Sequence, residues 1–227
     1  MISIFAAATL AAASAPCPEV VTPDAFICRA VQASANEKPD EDAQAFEQAA
    51  QAVDASTPQA ARLYAAAGNS WIAAGQPGKA ALDLDKALTG TGLQAEQRGE
   101  ALLDRARAAE AQNDLKTARA KVNEAQQTIS NDPFLWYFSA ALAIRENDSA
   151  TAKSSIGKAL TLAPADPTIL FEAGHVAQFA GDTVGARDYW NRTVARDPNG
   201  EAGKAARDAL KLLPAPLTVK GQPKESN

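Results

Sequence analysis

The stretch Tyr64 to Leu88 reads YAAAGNSWIAAGQPGKAALDLDKAL. An aromatic residue, Tyr64, is followed by the small pair Ala67-Gly68, by Trp71, and by Gly75 at a turn. Beyond the turn come Ala80, Leu84 and Ala87. The spacing of three and four residues predicts two helices, each with one apolar face, joined by a short reversal. Two antiparallel helices cross closely only where side chains are small. Ala67-Gly68 is therefore expected to face Ala80, with Leu84 filling the wedge behind the crossing.

The same order of residue types recurs on both sides of this stretch. Leu102, Arg105-Ala106, Ala109, Asn113, Ala118, Val122 and Ala125 occupy equivalent places. So do Trp136, Ser139-Ala140, Ala143, Asn147, Ala152, Ile156, Ala159 and Pro164. The best-kept copy holds Leu170, Ala173-Gly174, Ala177, Gly181, Ala186, Trp190, Thr193 and Pro198, with Gly174 expected to face Ala186. A degenerate first copy fits Phe26, Arg29-Ala30, Ala33, Asp42, Phe46 and Ala49. From Asp42 through Ala80, Ala118 and Ala152 to Ala186 the steps are 38, 38, 34 and 34 residues.

This pattern resembles the tetratricopeptide repeat, whose period is about 34 residues. The two longer steps imply insertions, expected in the linker STPQ near Thr57 and in Thr89 to Leu93. The resemblance implies an all-α fold, a tetratricopeptide-type α-solenoid of about five helix-pair repeats over 16–200. The repeats fall near 23–56, 61–94, 99–132, 133–166 and 167–200. No repeat buries its apolar face alone, so neighbours must stack and a polar cap must end the row. Glu201 to Leu213, with Ala205, Ala209 and Leu212 at helical spacing, is expected to be that capping helix (201–213), followed by a disordered tail over 214–227.

Helix starts are also written in the sequence. Thr22-Pro23, Thr57-Pro58, Asp132-Pro133 and Asp166-Pro167 each put an oxygen-bearing side chain ahead of proline at the first helical position. Each falls where the first helix of a repeat should begin. No segment shows the alternation of a strand.

Met1 to Ala15, MISIFAAATLAAASA, is an apolar run of signal-peptide length with small residues fitting cleavage at Ala13 or Ala15. It is short for a membrane span, so no stable span is expected in the mature chain. The reading that follows is a periplasmic or secreted protein. The alternative is a cytoplasmic protein that keeps this run as a helix packed on the first repeat. Cys17 and Cys28 are the only cysteines, and in an exported chain so close a pair is expected to form a disulfide. Pro16 stands where a lipidated cysteine would need a small residue before it.

Lys and Arg total 22 against 27 Asp and Glu, a formal net charge of -5, with both signs interleaved. A nucleic-acid binder would present a basic face, and none is written here. Catalysis finds little to build on. His175 is the only histidine, whereas a zinc site needs three or four spaced ligands. Gly75, Gly78 and Lys79 lack the glycine and the Ser or Thr that a phosphate loop requires, because Ala73 and Ala80 stand there. The chain is read as non-enzymatic, with no cofactor and no metal.

What the resemblance implies about function is protein binding. In tetratricopeptide proteins the first helices of successive repeats line a concave groove that holds a peptide or protein segment. Carried onto this sequence, the groove-facing places are Ala65, Asn69 and Ile72, then Leu103, Arg107 and Glu110. Tyr137, Ala141, Ile144 and Arg145 follow, and then Phe171, His175, Gln178 and Phe179. Arg107 and Arg145 are expected to hold a carboxylate, and Tyr137, Phe171 and Phe179 to anchor apolar side chains. Asn69 matches one element of the carboxylate clamp of chaperone-binding relatives, but Ala65 and Asp104 replace two others. The partner is thus a protein or peptide engaged by an envelope adaptor or assembly scaffold. A cytoplasmic co-chaperone and an accessory subunit of a cell-wall-modifying enzyme are the alternatives.

Overall fold

The computed structural model describes residues 16–214. The expected leader at 1–15 and the tail beyond Pro214 lie outside the described residues. Among those described, the chain forms eleven α-helices and no strand. It divides into two compact units, Met1–Leu93 and Gln94–Asn227. The first unit holds α1 (Pro23–Ala35), α2 (Pro39–Gln51), α3 (Pro58–Ala73) and α4 (Pro77–Thr89). The second holds α5 (Ala95–Ala111), α6 (Leu115–Ala125), α7 (Pro133–Arg145), α8 (Ser149–Leu162), α9 (Pro167–Phe179), α10 (Thr183–Arg196) and α11 (Glu201–Leu212).

Within the first unit each helix packs on the next. In the second, α5 pairs with α6, α7 with α8 and α9 with α10, while α7 also lies against α9. The helices begin where local chemistry starts them. Thr22 and Thr57 accept from the amides of Ala25 and Ala60, both at 3.3 Å. Asp132 and Asp166 accept from the amides of Phe134 and Thr168, both at 2.8 Å. Each side chain thereby satisfies an amide that the first helical turn leaves without a partner. The second helices α6, α8 and α10 are capped in the same way by Asp114, Asp148 and Asp182.

Every turn inside a pair contains one residue of positive φ: Glu37 at 56°, Gly75 at 68°, Asn113 at 62°, Asn147 at 58° and Gly181 at 80°. Gly and Asn tolerate this left-handed backbone; Glu37 has no such licence, and its conformation costs about 1 kcal/mol.

One expectation about the longer steps needs correction. The extra residues of the longer steps do not loosen the linkers. They lengthen helices: α3 and α5 run 16 and 17 residues, against 13 for α1, α7 and α9. An added helical turn hydrogen-bonds its own backbone, which an added stretch of loop does not. The glycines lie beneath the bulky residues of the second helices. A Cβ on Gly68 would come within 2.5 Å of Leu84 Cγ, and one on Gly174 within 2.1 Å of Trp190 Nε1. Ala106 and Ala140 stand in the same place ahead of Val122 and Ile156, and all four are buried. Burying Leu84 in this way contributes about 2 kcal/mol.

The contact face of α11 is also displaced from its expected position. It packs on α9 and α10 through Gly203, Ala206 and Leu213, with Ala209 and Leu210 at the margin, while Leu212 is 82% exposed. The amphipathic stripe predicted from Ala205, Ala209 and Leu212 is thus rotated by about one residue. Gly203 lies so close to the Asp197 carbonyl that any side chain there would collide with it. The helix therefore lays its glycine against the preceding turn. At the other end, a disulfide joins Cys17 to Cys28 on α1, with Cα atoms 5.7 Å apart. Arg29 holds the same segment down, donating to the carbonyls of Pro18 at 2.9 Å and Val20 at 3.3 Å.

Candidate functional site

In the second unit the neighbouring first helices α7 and α9 leave an open trough of about 500 Å³. Ala141, Ile144 and Phe179 give it an apolar floor, and Arg145, Glu172, His175 and Gln178 edge it. The apolar residues are there because α7 and α9 are both rich in carbon, FLWYFSAALAI and ILFEAGHVAQF, and a helix apolar on most faces cannot hide all of them.

Seven of the expected groove residues meet in or beside this trough. Ala141, Ile144, Arg145, His175, Gln178 and Phe179 line it, and half-buried Tyr137 lies on α7. Burial and then the Glu172 carboxylate push the Tyr137 phenol above its ordinary range, while Arg107 opposes them. Three others lie elsewhere. Asn69 is exposed on α3, in the first unit. Phe171 turns toward the cluster of Ala186, Trp190, Ala206 and Leu213, so it belongs to the packing beneath α11. Its backbone carbonyl accepts from Trp190 Nε1 at 3.0 Å. Arg107 sits on α5, donating to Asp104 at 2.9 Å and facing the Phe134 ring at 5.8 Å.

Both arginines already have an acidic partner within the chain. Arg145 donates to the backbone carbonyl of Glu110 and to Asn113 Oδ1, both at 2.9 Å, and pairs with the Glu110 carboxylate. These bonds tie α7 to the end of α5. Sequence reading missed Glu172, whose side chain is only 8% exposed and meets His175 Nδ1 at 3.2 Å. The signal was present: the equivalent place in the preceding copy is Phe138, also buried.

His175 itself is flanked by two rings, Phe171 at 4.4 Å and Trp190 at 5.6 Å between centroids. Among the described residues no group of three or more His, Cys, Asp or Glu is placed to hold a metal ion. Also among them, no helix is long and apolar enough to cross a membrane.

A second depression, of about 550 Å³, lies between α6 and α8 and is polar. Arg119 reaches across it to Glu146 at 2.5 Å and to Ser139 Oγ at 2.9 Å, and buried Ser139 meets Ser155 at 3.0 Å. Lys158 sits over the Trp136 ring at 3.8 Å. These groups answer one another, which makes the cluster a fastening of three helices.

No family model matches the sequence, and no curated protein does. Solved structures do. TTC0263, a thermophilic tetratricopeptide protein of Thermus thermophilus, superposes with a TM-score of 0.62 at 17% identity, over 84% of this chain and 100% of its own. The chain has the tetratricopeptide repeat fold. YrrB, a tetratricopeptide protein with an unusual peptide-binding site, gives 0.58 at 16% identity, over 81% of this chain and 91% of its own. PilW, a widely conserved type IV pilus biogenesis factor, gives 0.68 at 16%, over 82% of each. At these identities the likeness is one of fold. The tetratricopeptide frame accounts for the trough: α7 and α9 are first helices of adjacent repeats, set side by side.

Proposed function

We propose that the chain is a non-catalytic interaction module of the cell envelope, holding a peptide or protein segment in the trough between α7 and α9. The observation that carries the reading is the trough itself, an apolar floor of Ala141, Ile144 and Phe179 left open between two first helices. Apolar surface gathered in a concavity with a few polar groups at its edge is the usual form of a binding site. YrrB has a peptide-binding site on the same fold, which supports the mode. The Cys17–Cys28 bridge supports export, because such bridges persist in oxidising compartments, and PilW, of like fold, serves pilus biogenesis.

The test is photo-crosslinking in the native cell, with a benzophenone side chain at Ile144 or Phe179 and a control at Val184, which is 82% exposed on α10. A discrete protein adduct is expected at the first two positions and absent at the control. Adducts at Val184 alone would remove the trough from the account. N-terminal sequencing of the same material should begin near Pro16 with both thiols oxidised. An intact Met1 with free thiols would end the envelope reading.

A further inference from the structure

We infer that the α7–α9 trough takes a basic side chain, lysine or arginine, from within an apolar segment of the partner protein. This rests on the proposed use of the trough, and it reverses the carboxylate preference that the arginines imply from sequence alone.

The charges around the trough decide the matter. Arg145 is paired with Glu110 and bonded to Asn113, and Arg107 is paired with Asp104. Each arginine is therefore balanced by an acidic partner on α5. Among the described residues no Lys or Arg is paired with Glu172. Among the described residues the contact drawn to its carboxylate is from the His175 ring, at 3.2 Å. A carboxylate has about four acceptor positions, so most of its capacity is unanswered. The helix that bears it, α9, contains no Lys or Arg, and α7 contains only the engaged Arg145.

Glu172 is also nearly enclosed, 8% exposed as a side chain, so its field is weakly screened by water. The raised phenol of Tyr137, one helix away, feels it. A carboxylate entering this trough would meet like charge beside an apolar floor. A lysine or arginine would lay its methylene stem along Ile144 and Phe179 and bring its head to Glu172. Gln178, exposed at the edge, has a carboxamide of the kind that meets a passing peptide backbone.

The experiment titrates the full-length, isotope-labelled protein with capped heptapeptides of alanine and leucine that differ only at the centre: lysine, methionine or glutamate. A fourth peptide has the methionine centre and a free amino terminus. Amide shifts on α7 and α9 report binding. The lysine peptide is expected to bind about ten-fold more tightly than the glutamate peptide, and E172Q should remove most of that difference. R107Q should leave the order intact. Equal binding of lysine and glutamate peptides, or a lysine preference that survives E172Q, overturns the inference while the trough remains a binding site. Tighter binding of the free-amine peptide overturns the side-chain form of it. Shifts on neither helix with any peptide overturn both this inference and the proposed function.

Discussion

In the α9–α10 hairpin Gly174 lies flat beneath Trp190, Gly181 reverses the chain at φ 80°, and Asp182 caps α10. In the α1–α2 hairpin the same places hold Ala30, Glu37 and Lys38; the turn residue is strained, and no side chain caps α2. Asp42 occupies the place of fully buried Ala186, and one of its carboxylate oxygens is buried without a partner. Its other oxygen accepts from Ser70 at 3.0 Å. The hairpin with the poorest local fit is also the one whose first helix is tied to the segment before it by a disulfide and by Arg29. A covalent tie that restricts the unfolded chain can hold a hairpin that its own packing holds weakly.

The sharpest way to break this contrast is to spoil the better hairpin. Gly174→Ala sets a methyl group against the fully buried Trp190 ring and should destabilise the second unit by about 3 kcal/mol, read from the urea midpoint. A loss no larger than an exposed alanine substitution causes would mean that the close approach does not matter. The tie comes next. Cys17→Ser with Cys28→Ser should lower stability by about 2 kcal/mol, and amide exchange should quicken in α1 before it does in α3. If α1 and α3 lose protection together, the bridge is not serving the weak hairpin.

The smallest effect is one of sign. Burial holds the Asp42 carboxyl above its ordinary value of 3.8, and the Ser70 hydroxyl offsets only part of the rise. The folded chain then keeps this proton to higher pH than the unfolded chain does. The contribution of Asp42 to stability is therefore best in acid, and it declines as pH rises from 3.8 through the folded pKa. Asp42→Asn should flatten this slope and raise the urea midpoint at about pH 7 more than at about pH 4. An unchanged difference between the two pH values would show that water reaches the carboxylate.

The four Thr-Pro and Asp-Pro starts and the phased small residues made the pairing of helices legible before any coordinates, because capping and close approach are local demands. Other features were not legible. A sequence shows that Arg107 and Arg145 are charged, not that Asp104 and Glu110 engage them. Glu172 escaped notice because an acidic residue is expected on a surface, and only its enclosure by α7 and the aromatic rings makes it a site.

The added turns at the front of α3 and α5 have a consequence for how this chain can change in length. Growth by a whole turn, upstream of the small pair, leaves every later side chain facing as before, whereas a single inserted residue would swing them all by about 100°. Such a molecule has a built-in unit of permissible insertion. Its history of lengthening is to be looked for in steps of three or four residues at the heads of its first helices.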